Sequence, residues 1–194
     1  MIMVRMTKLE KLVQSRNKVV TIQDLAVIWG VCERRKLLEL IKYYVRKGRL
    51  KTLKNGVYAV SDDYDKFELA QKIVPVSYIS FYSALAFHGI IFQFYEEIHS
   101  VSLATKHAEI NNQLFFYHKV KSDIFFNSLG IEKKEHYTIA SPEKSVCDSL
   151  YLKPNLAFDN LSKLNHQKLI EISRHYGNKS LEGQIQKLVK NQNA

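Results

Sequence analysis

Apolar residues recur at helical spacing through the first fifty positions and predict three consecutive helices. Thr7 can cap the first helix, and Val19–Val20 forms a short extended link after it. Thr21 can cap a second helix through a variant of the capping box, and Gly30 ends that helix. A third helix is predicted from about Cys32 to Lys47, because apolar and charged residues alternate there on opposite faces.

The residues after the third helix predict a β-hairpin. Leu50 and Leu53 lie on its first strand, residues 57–60 form the second, and Asn55-Gly56 supplies the turn. Asn-Gly is typical of a type I′ turn, in which both central residues have positive φ. Three helices followed by a hairpin are the order of a winged helix-turn-helix, with the hairpin as its wing. The sequence therefore predicts a winged helix over residues 1–61.

The rest of the chain alternates between helical and extended patterns and predicts a mixed α/β domain over residues 62–194. The predicted caps of its helices are Ser80, Ser141 and Ser180. Helices are predicted over about 64–73, 80–88, 141–152, 167–176 and 181–191, and strands near 98–105, 113–120 and 137–140. The expected fold class of the whole chain is α+β.

The net positive charge of the chain lies in the predicted first domain. Residues 1–60 contain fourteen Lys or Arg and four Asp or Glu, whereas the remaining residues contain fifteen of each, so the net charge of +10 belongs to the first segment. A basic segment of this size is typical of a protein that meets a polyanion, because phosphate neutralisation releases counterions. A solvated, lysine-rich surface would give the same count.

The helix-turn-helix pattern turns this charge into a candidate DNA-binding site. The second helix of that motif normally enters the major groove with its N-terminal residues on base edges, and here the start of that helix reads Glu33-Arg34-Arg35-Lys36. Lysines on the hairpin are placed to reach phosphates or the minor groove. The candidate DNA-binding residues are Arg34, Arg35, Lys36, Lys42, Lys51, Lys54 and Asn55. A winged helix can also serve as a protein-interaction module.

Other candidate chemistry is sparse. The seven histidines show no spacing that places two imidazoles on one metal ion, and Cys32 and Cys147 belong to no CxxC pair, so we expect no metal, no cofactor and reduced thiols. Asp62, Asp63 and Asp65 follow the hairpin as a polar linker or helix start, or as carboxylates of a metal-dependent nuclease. No constellation of catalytic residues emerges, and we expect no enzyme.

Targeting signals are likewise missing from the sequence pattern. No stretch approaches the roughly 18 consecutive apolar residues of a membrane span. The first residues lack the apolar core and cleavage site of a secretory signal. We therefore expect a cytoplasmic protein without a membrane partner.

Three segments of the chain have a recognisable sequence: KGRLKTLKNGVYAV at 47–60, SYISFYSALAFHGI at 77–90 and ASPEKSVCDSLYL at 140–152. In this order they resemble the AbiEi family of antitoxins and transcriptional regulators from bacterial type IV toxin-antitoxin systems. The resemblance implies a winged helix that represses its own operon by binding operator DNA, and a C-terminal domain that counteracts a nucleotidyltransferase-like toxin. The alternative is a stand-alone winged-helix transcription factor with a ligand-binding or dimerisation domain.

Overall fold

The computed structural model describes residues 6–93, 95–153 and 156–192. Those residues form nine helices and two sheets, which is the mixed α+β class expected from the sequence. Packing divides the chain into two compact units, residues 1–73 and residues 74–194. Within the described ranges, no helix combines the length and the apolar character needed to cross a bilayer.

The first unit joins four helices to a three-stranded sheet. Its elements in the described residues are α1 (Lys8–Gln14), β1 (Val19–Thr21), α2 (Ile22–Trp29), α3 (Arg34–Arg46), β2 (Lys51–Lys54), β3 (Val57–Ala59) and α4 (Lys66–Ile73). The strand order is β1-β3-β2, and both pairs are antiparallel. The extended link predicted at residues 19 and 20 is thus part of a strand, in which Val20 pairs with Tyr58.

Two complete capping boxes stabilise the N-termini of the first two helices. Thr7 accepts a hydrogen bond from the Glu10 amide at 3.2 Å and Glu10 accepts one from the Thr7 amide, while Thr21 and Asp24 repeat the arrangement. Gly30 ends α2 in the left-handed conformation, as predicted. The first three helices share one hydrophobic core with strands β1 and β3. Its buried members are Leu12, Val20, Leu25, Trp29, Leu37, Ile41, Leu50 and Tyr58.

The fourth helix extends the first unit beyond the boundary predicted after residue 61. Glu68 is buried and accepts a hydrogen bond from the Val19 amide at 3.1 Å, which ties α4 to β1. Lys72 lies 2.8 Å from the Asp24 carboxylate. Burial raises the pKa of Asp24, but hydrogen bonds from Lys72 and Thr21 outweigh it and hold that pKa below its ordinary value. The compact unit therefore ends with α4.

The second unit is built on a six-stranded mixed sheet. Its elements in the described residues are β4 (Ser77–Ile79), α5 (Phe81–His88), β5 (Ile98–Ser102), β6 (Lys106–Ile110), β7 (Gln113–Lys119), α6 (Ser122–Phe126), β8 (Ile131–Lys133), β9 (Thr138–Ala140), α7 (Pro142–Leu152), α8 (His166–Arg174) and α9 (Lys179–Gln192). The strand order is β6-β7-β5-β4-β9-β8. The β4/β9 and β5/β7 pairs are parallel and the other pairs are antiparallel.

Helix α7 is the central helix of the second unit. Ser141 caps it by accepting from the Lys144 amide, and Pro142 opens it, as the sequence predicts. It packs against α5, α8 and α9. Eight of its eleven residues are buried, and these include the charged side chains of Glu143, Lys144 and Asp148. Such groups are rarely buried unless they are paired, so the packing around α7 depends on their partners.

Gly130 occupies a place beside α7 that no larger residue fits. Its φ is +77°, and a Cβ added there would lie 2.8 Å from Lys144 Cβ and 2.9 Å from Ile172 Cδ1. Gly130→Ala should therefore destabilise the second unit by about 1 to 3 kcal/mol through backbone strain and overpacking. Urea unfolding followed by far-ultraviolet circular dichroism measures this.

Gly183 in α9 provides the matched control, because a Cβ there meets nothing within 4 Å. Gly183→Ala should stabilise the same unit by about 0.5 to 1 kcal/mol, since alanine favours the helix. Equal effects of the two substitutions would contradict the steric account of Gly130.

Candidate nucleic-acid interface

The first turn of α3 presents three exposed cations. Arg34, Arg35 and Lys36 are its first three residues, two positions after the predicted helix start. Glu33 precedes them, with its carboxylate 3.1 Å from Lys36 Nζ and 3.9 Å from Arg35 Nε. Arg34 forms no ion pair with any described residue. This end of the helix can therefore offer one unengaged guanidinium and two loosely engaged cations to an external anion.

The remaining solvent face of α3 continues this charge. Lys42 and Arg46 are exposed one turn apart, whereas Leu37 and Ile41 on the opposite face are buried in the core. Tyr43 is 47% exposed between the cations. The helix is therefore amphipathic, with its apolar side held by the unit and its basic side open to solvent.

An open groove of about 370 Å³ separates α3 from the hairpin. Lys42 and Arg46 line it from the helix, and the hydroxyl-bearing Thr52 lines it from β2. Two cations and a hydroxyl in one groove suit an anion of phosphate size, because each supplies hydrogen-bond donors. The full lining is Ile41, Lys42, Val45, Arg46, Thr52 and Tyr58. Arg46 and Thr52 were not among the predicted site residues, although Arg46 follows the same helical spacing as Lys42.

The hairpin turn differs from the predicted type. Gly56 has a φ of +83°, but Asn55 is not among the residues with positive φ, so the type I′ turn expected from Asn-Gly is wrong. The register shifts between Thr52 and Lys54, which makes the first strand irregular before the turn. Type I′ turns are favoured in hairpins because they match the right-handed twist of the strands, and a bulge adds to that twist. With the bulge beside it, this turn closes with positive φ at Gly56 alone. Lys54 and Asn55 are exposed at the tip.

Lys51, the other predicted wing cation, is engaged within the unit. Its Nζ lies 2.7 Å from the Asp62 carboxylate, and this hydrogen bond raises the pKa of Lys51. Both side chains are mainly exposed, at 62% and 82%. An exposed pair of this kind is weak and exchanges readily with other ions. Lys51 is thus available to a phosphate only in competition with Asp62.

The other two aspartates after the hairpin also have local partners. Asp63 accepts hydrogen bonds from Lys18 at 2.6 Å and from Ser61, and these lower its pKa to about 2. Asp65 accepts from the Phe67 amide at 2.7 Å and so lies at the start of α4, as the helix-start interpretation predicts. In the part of the chain that the structure describes, no three His, Cys, Asp or Glu side chains are grouped to hold a metal ion.

The lone carboxylate of α7, Asp148, lies in a buried hydrogen-bond network. It accepts from Ser80 Oγ at 2.7 Å, from the Tyr176 hydroxyl at 2.6 Å and from the Tyr78 hydroxyl at 3.3 Å. Lys144 Nζ lies 3.5 Å away and donates to the Tyr176 hydroxyl at 2.9 Å. Ser80 was predicted to cap α5, but its hydroxyl donates to Asp148 and makes no cap. Burial, with Asp148 nearby, raises the pKa of both tyrosines well above the ordinary value, so their hydroxyls remain donors.

The second unit contains a pair of histidines that the sequence pattern does not predict. His99 Nδ1 lies 2.9 Å from His118 Nε2, and the Phe116 ring stacks on His99. Burial lowers the pKa of His99 to about 4 and also lowers that of His118, so both rings are neutral at pH 7. The pair is nineteen positions apart in sequence and meets only because β5 and β7 run parallel as neighbours.

No protein-family model matches the chain, and no curated protein matches its sequence.

Proposed function

We propose that the first unit is a winged helix that binds double-stranded DNA. The element order α1-β1-α2-α3-β2-β3 and the strand order β1-β3-β2 support this arrangement, with α3 as recognition helix and the β2/β3 hairpin as wing. The observation that carries the proposal is the row of exposed cations on α3 beside the groove it shares with the hairpin. The first unit has sixteen Lys or Arg and eight Asp or Glu, a net charge of +8.

The contacts divide by position along α3. Arg34 and Arg35 at its start contact base edges in the major groove, where an arginine can pair with guanine through two hydrogen bonds. Lys42 and Arg46 further along the helix hold a backbone phosphate in the groove, and Lys54 at the hairpin tip holds another. Base contacts select the sequence, whereas phosphate contacts fix the position of the protein and supply most of the affinity.

We further propose that the chain is an antitoxin-type regulator of the cytoplasm, which represses its own operon and counteracts a nucleotidyltransferase-like toxin. This part rests on the resemblance of segments 77–90 and 140–152. In the structure these segments form β4, α5 and α7, and they meet through the Ser80 to Asp148 hydrogen bond of 2.7 Å. The resembling segments are therefore central parts of the second unit.

A gel shift on the DNA upstream of the protein's own gene tests the DNA-binding proposal. We expect a specific complex with the wild-type chain. Arg35→Ala should relax sequence preference at one base pair by about 1 to 3 kcal/mol, whereas Lys54→Ala should weaken all sequences alike. Absence of any complex, even at low salt, would contradict the proposal.

Co-expression with the adjacent downstream gene tests the antitoxin proposal. If that gene encodes a nucleotidyltransferase-like toxin, its growth arrest should be relieved by this chain, and a pull-down shows whether relief involves direct contact. An adjacent gene of another kind, together with specific DNA binding, would favour a stand-alone transcription factor.

The Lys51–Asp62 pair gives a further prediction about affinity. Asp62→Asn should raise affinity for every DNA sequence about threefold, because loss of the ion pair frees Lys51 for a phosphate. The gain should be small because an exposed ion pair is weak. Fluorescence anisotropy with the full chain measures this. The gain should vanish in the Lys51→Ala background.

Asp63→Asn is the matched control for this prediction. It removes the same charge one residue away, but Asp63 pairs with Lys18. An Asp62→Asn gain that persists without Lys51 would show that only net charge is acting.

A further inference from the structure

Glu33 stands where a capping side chain would stabilise the start of α3. In the same unit, Thr7 and Thr21 begin α1 and α2 with complete capping boxes. Glu33 has the extended backbone of an N-cap, with φ of −73° and ψ of 112°, but its side chain accepts no hydrogen bond from the helix. Ser, Thr, Asp and Asn are preferred at this position because they make that bond. A break in a local rule of this kind is typical of a residue kept for function.

The Glu33 carboxylate is directed toward the exposed cations. It lies 3.1 Å from Lys36 Nζ and 3.9 Å from Arg35 Nε, and the side chain is half exposed. These cations partly offset the repulsion between a carboxylate and the phosphates of DNA. The carboxylate can therefore approach a DNA surface without being an isolated negative charge.

The chemistry of the major groove restricts what such a carboxylate can contact. Phosphate oxygens repel it, so the favourable partners are hydrogen-bond donors on base edges, chiefly the N4 amino group of cytosine. We infer that Glu33 is a specificity-determining residue that accepts a hydrogen bond from cytosine N4 in the operator. The inference rests on the proposed function, because it places the start of α3 in the major groove.

Selection of binding sites from random double-stranded DNA, with the full wild-type chain and with Glu33→Gln, tests this inference. The wild-type consensus should contain a cytosine that the variant replaces by adenine, because glutamine pairs with adenine through N6 and N7. On the wild-type site, Glu33→Gln should bind about tenfold more weakly, and exchanging that cytosine for adenine should restore the affinity.

Glu39→Gln is the matched control, because it removes the same charge from an exposed position of the same helix. It should change affinity for all sequences without changing the consensus. Glu33→Ser separates recognition from folding, since serine can cap α3. That variant should raise the melting temperature and lose the preference for cytosine.

The possible failures are distinguishable. A Glu33→Gln variant that selects the wild-type base at every position overturns the inference alone. A wild-type chain that enriches no sequence overturns the proposed function and this inference together.

Discussion

Replacing Lys42, Arg46 and Lys54 together by alanine should lower affinity for every DNA sequence about hundredfold near physiological salt. The slope of log affinity against log salt concentration should fall by about 2, since the two phosphate contacts that these side chains make contribute about 0.9 each. All three side chains are exposed and none forms an ion pair with a described residue, so the fold should not change. Fluorescence anisotropy with one specific and one scrambled duplex, at several salt concentrations, measures both quantities.

A control triple on the second unit tests whether position matters or only charge. Lys168, Lys179 and Lys187 are exposed on α8 and α9, and their replacement by alanine removes the same charge. This variant should keep nearly the wild-type salt slope. Equal losses for the two triples would mean that binding is diffuse, and would contradict the assignment of α3 and the hairpin as the interface.

Local signals predicted much of the first unit because they act over a few residues. Thr7, Thr21 and Gly30 determine where α1 and α2 begin or end, and each has the predicted role. The sequence pattern predicts only an extended link at β1, because its identity as a strand depends on the pairing of Val20 with Tyr58, thirty-eight positions away. The turn type predicted for Asn55-Gly56 is wrong because the dipeptide alone does not reveal the bulge in the preceding strand.

In the candidate interface too, the local sequence predicts which side chains are exposed, whereas the fold determines which of them meet. Helical spacing placed Lys42 on the solvent face of α3, where the structure has it exposed. That Arg46 and Thr52 line one groove follows only from the position of the hairpin beside α3. The engagement of Lys51 by Asp62 likewise depends on the chain returning past β2. DNA contact by these residues remains a prediction.

The sequence pattern could not predict the network around Asp148, because three of its four partners come from two distant segments. Ser80 and Tyr78 lie on or beside β4, Lys144 is on α7, and Tyr176 follows α8. A single carboxylate in a helical pattern therefore gave no sign of its surroundings. Its four partners indicate that Asp148 stabilises the second unit.

Asp148→Ala should destabilise the second unit by about 3 to 5 kcal/mol, because it leaves the buried Lys144 ammonium without its carboxylate. It also removes the acceptor of Ser80 and Tyr176. Urea unfolding followed by far-ultraviolet circular dichroism measures the loss. Fluorescence of Trp29, the only tryptophan and a residue of the first unit, should report a nearly unchanged transition there.

A double variant distinguishes the cost of the unpaired Lys144 charge from the cost of the lost side-chain volume. Lys144→Met with Asp148→Leu removes both charges and keeps apolar volume, so it should recover a large part of the stability lost in Asp148→Ala. Asp148→Asn should fall between the two. Its amide oxygen can still accept from the Tyr176 hydroxyl, but its amide nitrogen replaces the oxygen that accepts from Ser80, and the amide no longer neutralises Lys144. A double variant less stable than Asp148→Ala would show that the hydroxyl network, rather than the unpaired ammonium, dominates the cost. An Asp148→Ala chain as stable as the wild type would contradict the structural role of Asp148.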